Sequence, residues 1–164
     1  VNEQLVKKLH IIPVEVVIRN IAAGSICRRY NLRKGHTFKT PLLELFYKDD
    51  SLHDPLVNDS VVTEMGWCSH HQLSEIKRQA HIVHARMTEY WAEYDLTLVD
   101  QKFEFGIDAY GRIMLADEIT PDSCRLWDTD GNSLDKDVFR EGNDLDEVQS
   151  VYQYIYDMIS KGDS

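Results

Sequence analysis

The sequence predicts an α+β fold, and three features of its hydrophobic pattern predict it. A run rich in β-branched residues at 13–19 is typical of a buried strand. Apolar residues recur in steps of three and four over 73–94, which is the spacing of one face of an amphipathic helix. Two further segments, 96–107 and 112–119, flank the turn sequence Asp108-Ala109-Tyr110-Gly111 and predict a β-hairpin. Strands and helices therefore occupy separate stretches of one domain.

The composition is that of a folded protein with a substantial core. The chain has 164 residues, of which 43% are hydrophobic and 10% aromatic, and this excludes a disordered or low-complexity polymer. No apolar run approaches the roughly 18 residues of a membrane span, and the first residues lack the pattern of a secretory leader. The three cysteines do not have CxxC spacing, which favours a reduced, cytoplasmic setting over a disulfide framework.

Charge is unevenly distributed along the chain. The net charge is −10, which argues against general nucleic-acid binding. Residues 1–40 carry eight Lys/Arg and two Glu, whereas residues 83–164 carry seven basic and 19 acidic side chains. One segment is thus suited to receive an anion and another to supply carboxylates for a metal. The alternative is ordinary solvated surface, which holds for most of these charges.

The remaining elements follow in chain order. Gly24 and Ser25 precede a short helical stretch, residues 42–47 form a second strand candidate, and residues 48–55 form a polar loop. The long helix begins at Ser69, with Gln72 completing a capping box. Its predicted inward stripe is Leu73, Ile76, Ala80, Val83, Met87, Tyr90 and Tyr94.

A last helix is predicted over residues 145–159. Asp144 is its expected N-cap, with Glu147 three residues further on. Its predicted inward positions are Leu145, Val148, Tyr152, Ile155 and Ile159.

Carboxylates cluster on the predicted hairpin. Asp100, Lys102 and Glu104 alternate along one strand and so share a face, while the other face is apolar. Two pairing registers of the hairpin strands are compatible with this turn. One places Lys102 opposite Asp117 and the other places Glu104 there, and both bring Asp117 to the face that carries Glu104. Two carboxylates beside a lysine suit an oxygen-liganded Mg²⁺ that also holds substrate phosphates. The alternative is a solvent-exposed hairpin with cross-strand ion pairs.

A second candidate site is a group of anion-binding residues. Arg19 ends the first strand, and Gly24 and Ser25 open the following helix, which together offer a guanidinium, a hydroxyl and backbone N–H groups. Arg125 lies in the predicted loop 123–128 and is expected to join Arg19 at the same anion. Structurally, Gly24 is alternatively only a tight turn and Ser25 only a cap.

At these residues the chain resembles the SAICAR synthetase family, the phosphoribosylaminoimidazole-succinocarboxamide synthases of purine biosynthesis. Residues 11–25 resemble the first signature of the family, and residues 98–106 resemble the second. Shorter matching segments follow in the family's order: Tyr47-Lys48-Asp49-Asp50, His53-Asp54-Pro55, Leu115-Ala116-Asp117-Glu118, Cys124-Arg125-Leu126-Trp127-Asp128, Asp135-Lys136-Asp137 and Phe139-Arg140.

The resemblance implies an ATP-dependent ligase with a two-lobed fold. Such enzymes join the carboxylate of carboxyaminoimidazole ribotide (CAIR) to the amine of L-aspartate, using ATP and Mg²⁺ and an acyl phosphate. The fold pairs a kinase-like ATP lobe with a larger α+β lobe. Residues 1–12 would be the end of the ATP lobe and its adenine hinge, and residues 13–164 the C-terminal lobe that binds substrate and metal. The N-terminal part of the ATP lobe is expected to be missing from this chain.

The resemblance also implies roles for individual residues. Arg19, Ser25 and Arg125 would bind the ribotide phosphate. Asp100 and Lys102 would contact the CAIR ring and carboxylate and act as the catalytic residues. Six residues would contact ATP, namely Lys8, Leu9, Ile11, Lys48, Glu104 and Asp117. The last two would also hold Mg²⁺.

Two alternatives to this function stay open from the sequence. One is a different Mg²⁺-dependent phosphoryl-transfer enzyme on the same fold. The other is a non-catalytic fragment that binds CAIR but does not turn over ATP. The expected partners are small molecules, without nucleic acid or membrane, and a homodimer is the form that relatives often take.

Overall fold

The computed structural model describes residue 3, residues 5–135 and residues 145–162. Its strands are β1 (His10–Ile11), β2 (Val14–Ile21), β3 (Thr37–Tyr47), β4 (Leu56–Val57), β5 (Thr97–Ile107), β6 (Ile113–Ala116) and β7 (Cys124–Trp127). Its helices are α1 (Ser25–Tyr30), α2 (Asp59–Glu64), α3 (His70–Ala92) and α4 (Leu145–Gly162), with a 3₁₀ turn at Asp50–Leu52. The predicted α+β class is confirmed. No helix within the described residues is long and apolar enough to cross a membrane.

β5 is the strand on which the sheet is built. The strands are ordered β1-β5-β2-β3-β4, and β6 and β7 also pair with β5. The pairs of β5 with β1, β6 and β7 are antiparallel. Most of β5 is buried, so its polar residues lie within the protein rather than on a solvated edge.

The chain forms two compact units. Unit 1 comprises Val1–Val17, Glu44–His81 and Phe103–Asp117, and unit 2 comprises Ile18–Leu43, Ile82–Lys102 and Glu118–Ser164. The predicted boundary at residue 12 remains a prediction.

In unit 1 the start of α3 is fixed as the sequence predicts. The backbone N–H of Gln72 donates to the Ser69 hydroxyl at 3.2 Å, and the backbone N–H of Ser69 donates to the Gln72 side chain at 2.8 Å. This reciprocal pair is a capping box. Further along α3, the Gln79 amide donates to the backbone carbonyl of Ile113 at 3.2 Å, which ties the helix to β6.

The core of unit 2 lies between α3, α4, β5 and β7. Its buried members are Trp91, Leu96, Leu98, Cys124, Leu126 and Ile155. Of the predicted stripe on α3, Leu73, Ile76 and Ala80 are buried, whereas the later members are only partly buried. On α4, Ile155 is buried and Tyr152 and Ile159 are partly buried. Asp144 and the side chains of Leu145, Glu147 and Val148 lie outside the described residues.

The predicted hairpin forms, but in a different register. Ile107 pairs with Ile113 and Glu104 with Ala116, so both expected registers are wrong by one residue. The cause is a loop of three residues, 109–111, between Asp108 and Arg112. The backbone N–H of Asp108 closes this loop by donating to the Arg112 carbonyl at 3.0 Å, and Gly111 in the loop has a φ of 79°. The second strand also ends early, at Ala116 rather than residue 119.

The Asp108 carboxylate organises this hairpin loop. Its Oδ1 accepts the backbone N–H of Tyr110 at 2.9 Å and of Arg112 at 3.0 Å, and its Oδ2 accepts Nε of Arg112 at 2.8 Å. The Arg112 side-chain hydrogen bond is the largest of the causes that lower the pKa of Asp108 to about 2.

We expect Asp108→Asn to destabilise the protein near neutral pH but not in acid. The folded-state pKa lies below the value of about 3.9 for an unfolded chain, so the stabilisation is fully present above about pH 4. It is lost as the pH falls through the folded-state pKa of about 2. Thermal unfolding of the parent protein and of Asp108→Asn, measured across this pH range, should show that the difference between their Tm values shrinks as the pH falls. A difference independent of pH would contradict this role.

Residues 123–128 were predicted to be a loop, and this prediction is wrong. Cys124–Trp127 is strand β7, paired with residues 97–101 of β5. Cys124 and Leu126 are buried, and Arg125 and Trp127 are half-buried. Four residues give too short an alternation to be recognised without its partner strand. The sequence also gave no expectation of α2, whose N-cap is Asn58, with its side chain accepting the Val61 N–H at 3.1 Å.

Candidate functional site

One buried carboxylate in unit 2 holds two arginines. Nη1 of Arg19 donates to Oδ2 of Asp100 at 2.6 Å. Nη1 of Arg125 donates to both oxygens of the same carboxylate, at 3.1 and 2.9 Å. The side chains of Arg19 and Asp100 are only 4% and 5% exposed, and that of Arg125 is 13% exposed. The structure therefore brings Arg125 and Arg19 together on the carboxylate of Asp100, and their sharing of a ligand anion stays a prediction.

The cluster contains groups suited to an anionic ligand. Its two guanidiniums lie in a water-poor setting. A guanidinium always carries its charge and presents several N–H groups in a fixed plane, which suits phosphate oxygens. Removing one member of a buried ionic cluster leaves uncompensated charge and typically costs about 3–5 kcal/mol. The three side chains thus constrain one another.

Neighbouring backbone fixes the strand that carries Arg125. Asp100 and Arg125 are paired residues of β5 and β7. The backbone N–H of Leu126 donates to Oδ2 of Asp135 at 2.8 Å, and Asp135 is fully buried. The backbone N–H of Leu134 donates to the Leu126 carbonyl at 2.8 Å. Residues on both sides of the strand therefore hold the position of Arg125.

The second charged site, in unit 1, joins a lysine to a buried glutamate. Nζ of Lys48 lies 2.7 Å from each carboxylate oxygen of Glu104. The Glu104 side chain is 6% exposed, whereas that of Lys48 is 47% exposed. The ammonium group therefore meets solvent on one side and a buried carboxylate on the other. Such a pair can contact an incoming anion through Lys48 and a cation through Glu104.

Asp117 lies just beyond the end of β6 in unit 1. Its φ is 65°, a left-handed conformation that is uncommon for a residue with a side chain. Since Ala116 is opposite Glu104, the register does not give Asp117 and Glu104 the shared face that alternation along a longer strand predicted. The left-handed backbone ends that alternation and sets the direction of the chain at Asp117.

The donor chemistry of Glu104 and Asp117 fits Mg²⁺. Both are carboxylates, and Mg²⁺ is commonly bound by one or two carboxylates together with substrate phosphates and water. No group of three or more His, Cys, Asp or Glu is placed to hold a metal ion within the part of the chain that the structure describes.

The segment predicted to meet adenine lies along β5 in unit 1. His10 and Ile11 pair with Ile107 and Gly106. A Cβ on Gly106 would lie 2.8 Å from Cβ of Leu9 and 3.0 Å from the His10 carbonyl oxygen. Gly106 therefore permits the close crossing of this segment, a known use of glycine within strands.

Comparison with known proteins identifies the family. The profile of the family described as SAICAR synthetase matches residues 1–159. The chain belongs to the SAICAR synthetase family. The phosphoribosylaminoimidazole-succinocarboxamide synthases of Streptococcus agalactiae and Streptococcus pyogenes are each 44% identical to it over 96% of its length. The chain spans about two thirds, 67%, of each of these relatives.

Solved structures of SAICAR synthetases have the same fold. The phosphoribosylaminoimidazole-succinocarboxamide synthase of Ehrlichia chaffeensis aligns with a TM-score of 0.90 and 39% identity, covering 96% of this chain and 67% of that one. A type-2 SAICAR synthetase in complex with ADP aligns with a TM-score of 0.88 and 42% identity, covering 94% of this chain and 65% of that one. The SAICAR synthetase-like fold expected from the sequence is thus confirmed.

The positions expected for SAICAR synthetase site residues fall into two groups. Arg19, Asp100 and Arg125 meet in unit 2, where Ser25 is the first residue of α1. Lys102 belongs to unit 2 as well, and its backbone N–H donates to the Ser123 carbonyl at 2.8 Å. In unit 1, Lys48 and Glu104 meet, Lys8 and Ile11 are exposed, and Leu9 is half-buried.

Gln101 is a buried residue of β5 to which the sequence analysis assigns no role. It is fully buried on β5, and among the described residues neither its amide nitrogen nor its amide oxygen has a hydrogen-bond partner. A buried polar group without a partner costs about 1–3 kcal/mol. The signal available in the sequence was a polar residue on the apolar face of the strand.

Gln101→Met is expected to stabilise the protein. Methionine has a similar length and removes the unpaired amide, so the free energy of unfolding should rise by about 1 kcal/mol or more. Denaturant unfolding measures this, with Gln149→Met on the exposed side of α4 as the control. A loss of stability in Gln101→Met would show that the amide has a partner, such as a buried water molecule.

Proposed function

We propose that the protein containing this chain is an ATP-dependent ligase that joins the carboxylate of CAIR to the amine of L-aspartate, giving SAICAR, ADP and phosphate. The observation that carries this proposal is the pair of guanidiniums on one buried carboxylate, found in a chain of this family. Because the chain spans about two thirds of its relatives, the activity is proposed for the whole protein.

The ribotide phosphate would bind at the guanidiniums of Arg19 and Arg125, which Asp100 holds together. A guanidinium carries several N–H donors, and Ser25 would add a hydroxyl at the start of α1. Asp100 then has two tasks, which are to hold the arginines and to contact the CAIR ring. The short distances to both arginines support the first task directly.

ATP and Mg²⁺ would bind in unit 1. Lys8, Leu9 and Ile11 would meet adenine, and Lys48 would meet the phosphates, which its half-exposed ammonium group can reach. Glu104 and Asp117 would hold Mg²⁺, which supplies neutralisation of phosphate charge when bound. Lys48 already pairs with Glu104, so Mg²⁺ would bind a carboxylate that has one cationic neighbour.

The bond changes follow from the chemistry of a carboxylate, which is a poor acylating group. An oxygen of the CAIR carboxylate attacks the γ-phosphorus of ATP, ADP leaves, and an acyl phosphate forms. The aspartate amine then attacks the carbonyl carbon, phosphate leaves with the C–O bond electrons, and the amine loses a proton. Lys102 would neutralise the CAIR carboxylate and the charge that develops on it. Positioning and charge neutralisation supply most of such a rate enhancement.

Steady-state ADP release by the full-length protein tests this proposal. ADP and SAICAR should form in equal amounts, and only when CAIR, L-aspartate, ATP and Mg²⁺ are all present. If ADP is released in the presence of CAIR at a rate that does not depend on L-aspartate, a different phosphoryl-transfer enzyme on this fold would be favoured. CAIR binding without any turnover would favour a non-catalytic binding protein. Either result would reject the ligase.

Two further properties are proposed with the function. All three cysteines lie within the described residues and none forms a disulfide, which supports a reducing, cytoplasmic setting. A homodimer remains a prediction from the family resemblance, and light scattering of the full-length protein measures it.

A further inference from the structure

The backbone of Gly24 has a conformation that suits glycine alone. Its φ is 65° and its ψ is −131°. This lies outside the left-handed helical region that residues with side chains sometimes adopt. Gly24 immediately precedes α1, and no side chain caps that helix. These angles are close to those of the first central residue of a type II′ turn, where glycine predominates.

The Arg125 guanidinium occupies the space next to Gly24. A Cβ on Gly24 would lie 2.6 Å from Nη2 of Arg125 and 3.0 Å from its Cζ. A Cβ atom essentially never lies that close to an atom it is not bonded to, so any larger residue would displace the guanidinium or the backbone. The guanidinium is also bound on its other side, where Nη1 donates to both oxygens of Asp100.

We propose that Gly24 is a positioning residue for phosphate recognition, because its bare Cα keeps the guanidinium of Arg125 on the carboxylate that also holds Arg19. The inference rests on the proposed function, which assigns both arginines to the ribotide phosphate. It adds a specific reason for a glycine at this position. A side chain at residue 24 would push Arg125 away from Asp100, and the two guanidiniums would no longer face one ligand together.

A double-mutant cycle in the full-length protein tests this role. The variants are Gly24→Ala, Arg125→Ala and the combination, and calorimetric titration with CAIR gives the dissociation constant of each. Loss of one charged hydrogen bond corresponds to a loss of about tenfold or more in affinity. Gly24→Ala should therefore weaken CAIR binding about tenfold in the parent protein and have no further effect beside Arg125→Ala. The KM for CAIR should rise accordingly, while kcat at saturating CAIR changes much less.

Gly35→Ala is the matched control. Gly35 is in the same unit with a φ of +87°, and nothing lies within 4 Å of its would-be Cβ. The control therefore imposes a strained backbone without the clash, and its CAIR affinity should stay within about twofold of the parent value.

Each outcome is decisive. Two results would overturn the role of Gly24 while leaving the proposed function standing. One is an unchanged CAIR affinity in Gly24→Ala, and the other is an equal loss of CAIR affinity when Gly24→Ala is made in the parent protein and in Arg125→Ala. Unchanged affinity in Arg125→Ala would remove the phosphate site itself, and the inference with it. If Gly24→Ala does not fold, the comparison is between the combined variant and Arg125→Ala. Folding restored by removal of the guanidinium supports the clash, and failure of the combined variant to fold overturns it.

Discussion

Glu104→Gln in the full-length protein is expected to lower SAICAR formation by about a hundredfold or more, because a metal-neutralised phosphoryl transfer loses several kcal/mol of charge stabilisation. The change keeps the size of the side chain and an oxygen that accepts a hydrogen bond from Lys48. It removes only the charge of a group that is 5% exposed. The loss should therefore appear in the Mg²⁺ dependence of turnover rather than in folding.

Turnover against Mg²⁺ concentration measures this effect. Glu64→Gln is the matched control, since Glu64 is an exposed acid at the end of α2 in unit 1. The control should keep the parent rate. Near-normal turnover of Glu104→Gln at low Mg²⁺ would show that Glu104 does not hold the metal.

Arg19→Ala and Arg125→Ala should each weaken CAIR binding by about ten- to a hundredfold, because a hydrogen bond to a charged group is worth about 1.5–3 kcal/mol. ADP binding should change little. The two losses are expected to be non-additive, since both guanidiniums share the carboxylate of Asp100 and each stabilises the position of the other.

CAIR and its dephosphorylated nucleoside distinguish a phosphate contact from general damage. The parent protein should prefer CAIR strongly, and each arginine variant should lose most of that preference. Arg33→Ala, an exposed arginine in the same unit, should keep it. A preference unchanged in both Arg19→Ala and Arg125→Ala would remove the proposed phosphate site.

The sequence predicted those elements that a local pattern determines. β2 follows from its β-branched run, and α3 begins where Ser69 and Gln72 form the capping box. The sequence also predicted that Arg125 joins Arg19 at one ligand anion; the two arginines do meet, on Asp100, and the ligand stays a prediction. For β2 and α3 the deciding information lies within a few neighbouring residues.

The features that were missed depend on partners distant in sequence. β7 is four residues long and becomes a strand through pairing with β5. The hairpin register turned on whether the loop held three residues or four, and the Asp108 carboxylate decides that. A shift of one residue changes the face of every side chain, so Asp117 could not be placed from alternation alone.

The polar interior of unit 2 was equally hidden. The Asn20 side chain donates to the Leu98 carbonyl at 2.9 Å and lies 3.1 Å from Nε2 of the buried His84. His84 lies between predicted apolar positions of α3, and nothing near it in sequence indicates its partner. Such pairs are known only once β2, α3 and β5 have been brought together.

Crossed calorimetric titrations test the central claim, which is that the proposed phosphate-binding residues of unit 2 and the proposed metal-binding carboxylates of unit 1 serve different ligands. CAIR and ADP with Mg²⁺ are each titrated into the full-length protein, into Arg125→Ala and into Glu104→Gln. We expect Arg125→Ala to lose CAIR affinity and keep that for ADP with Mg²⁺, and Glu104→Gln to show the reverse pattern. Loss of both ligands in either folded variant, or the opposite pattern, would contradict the account.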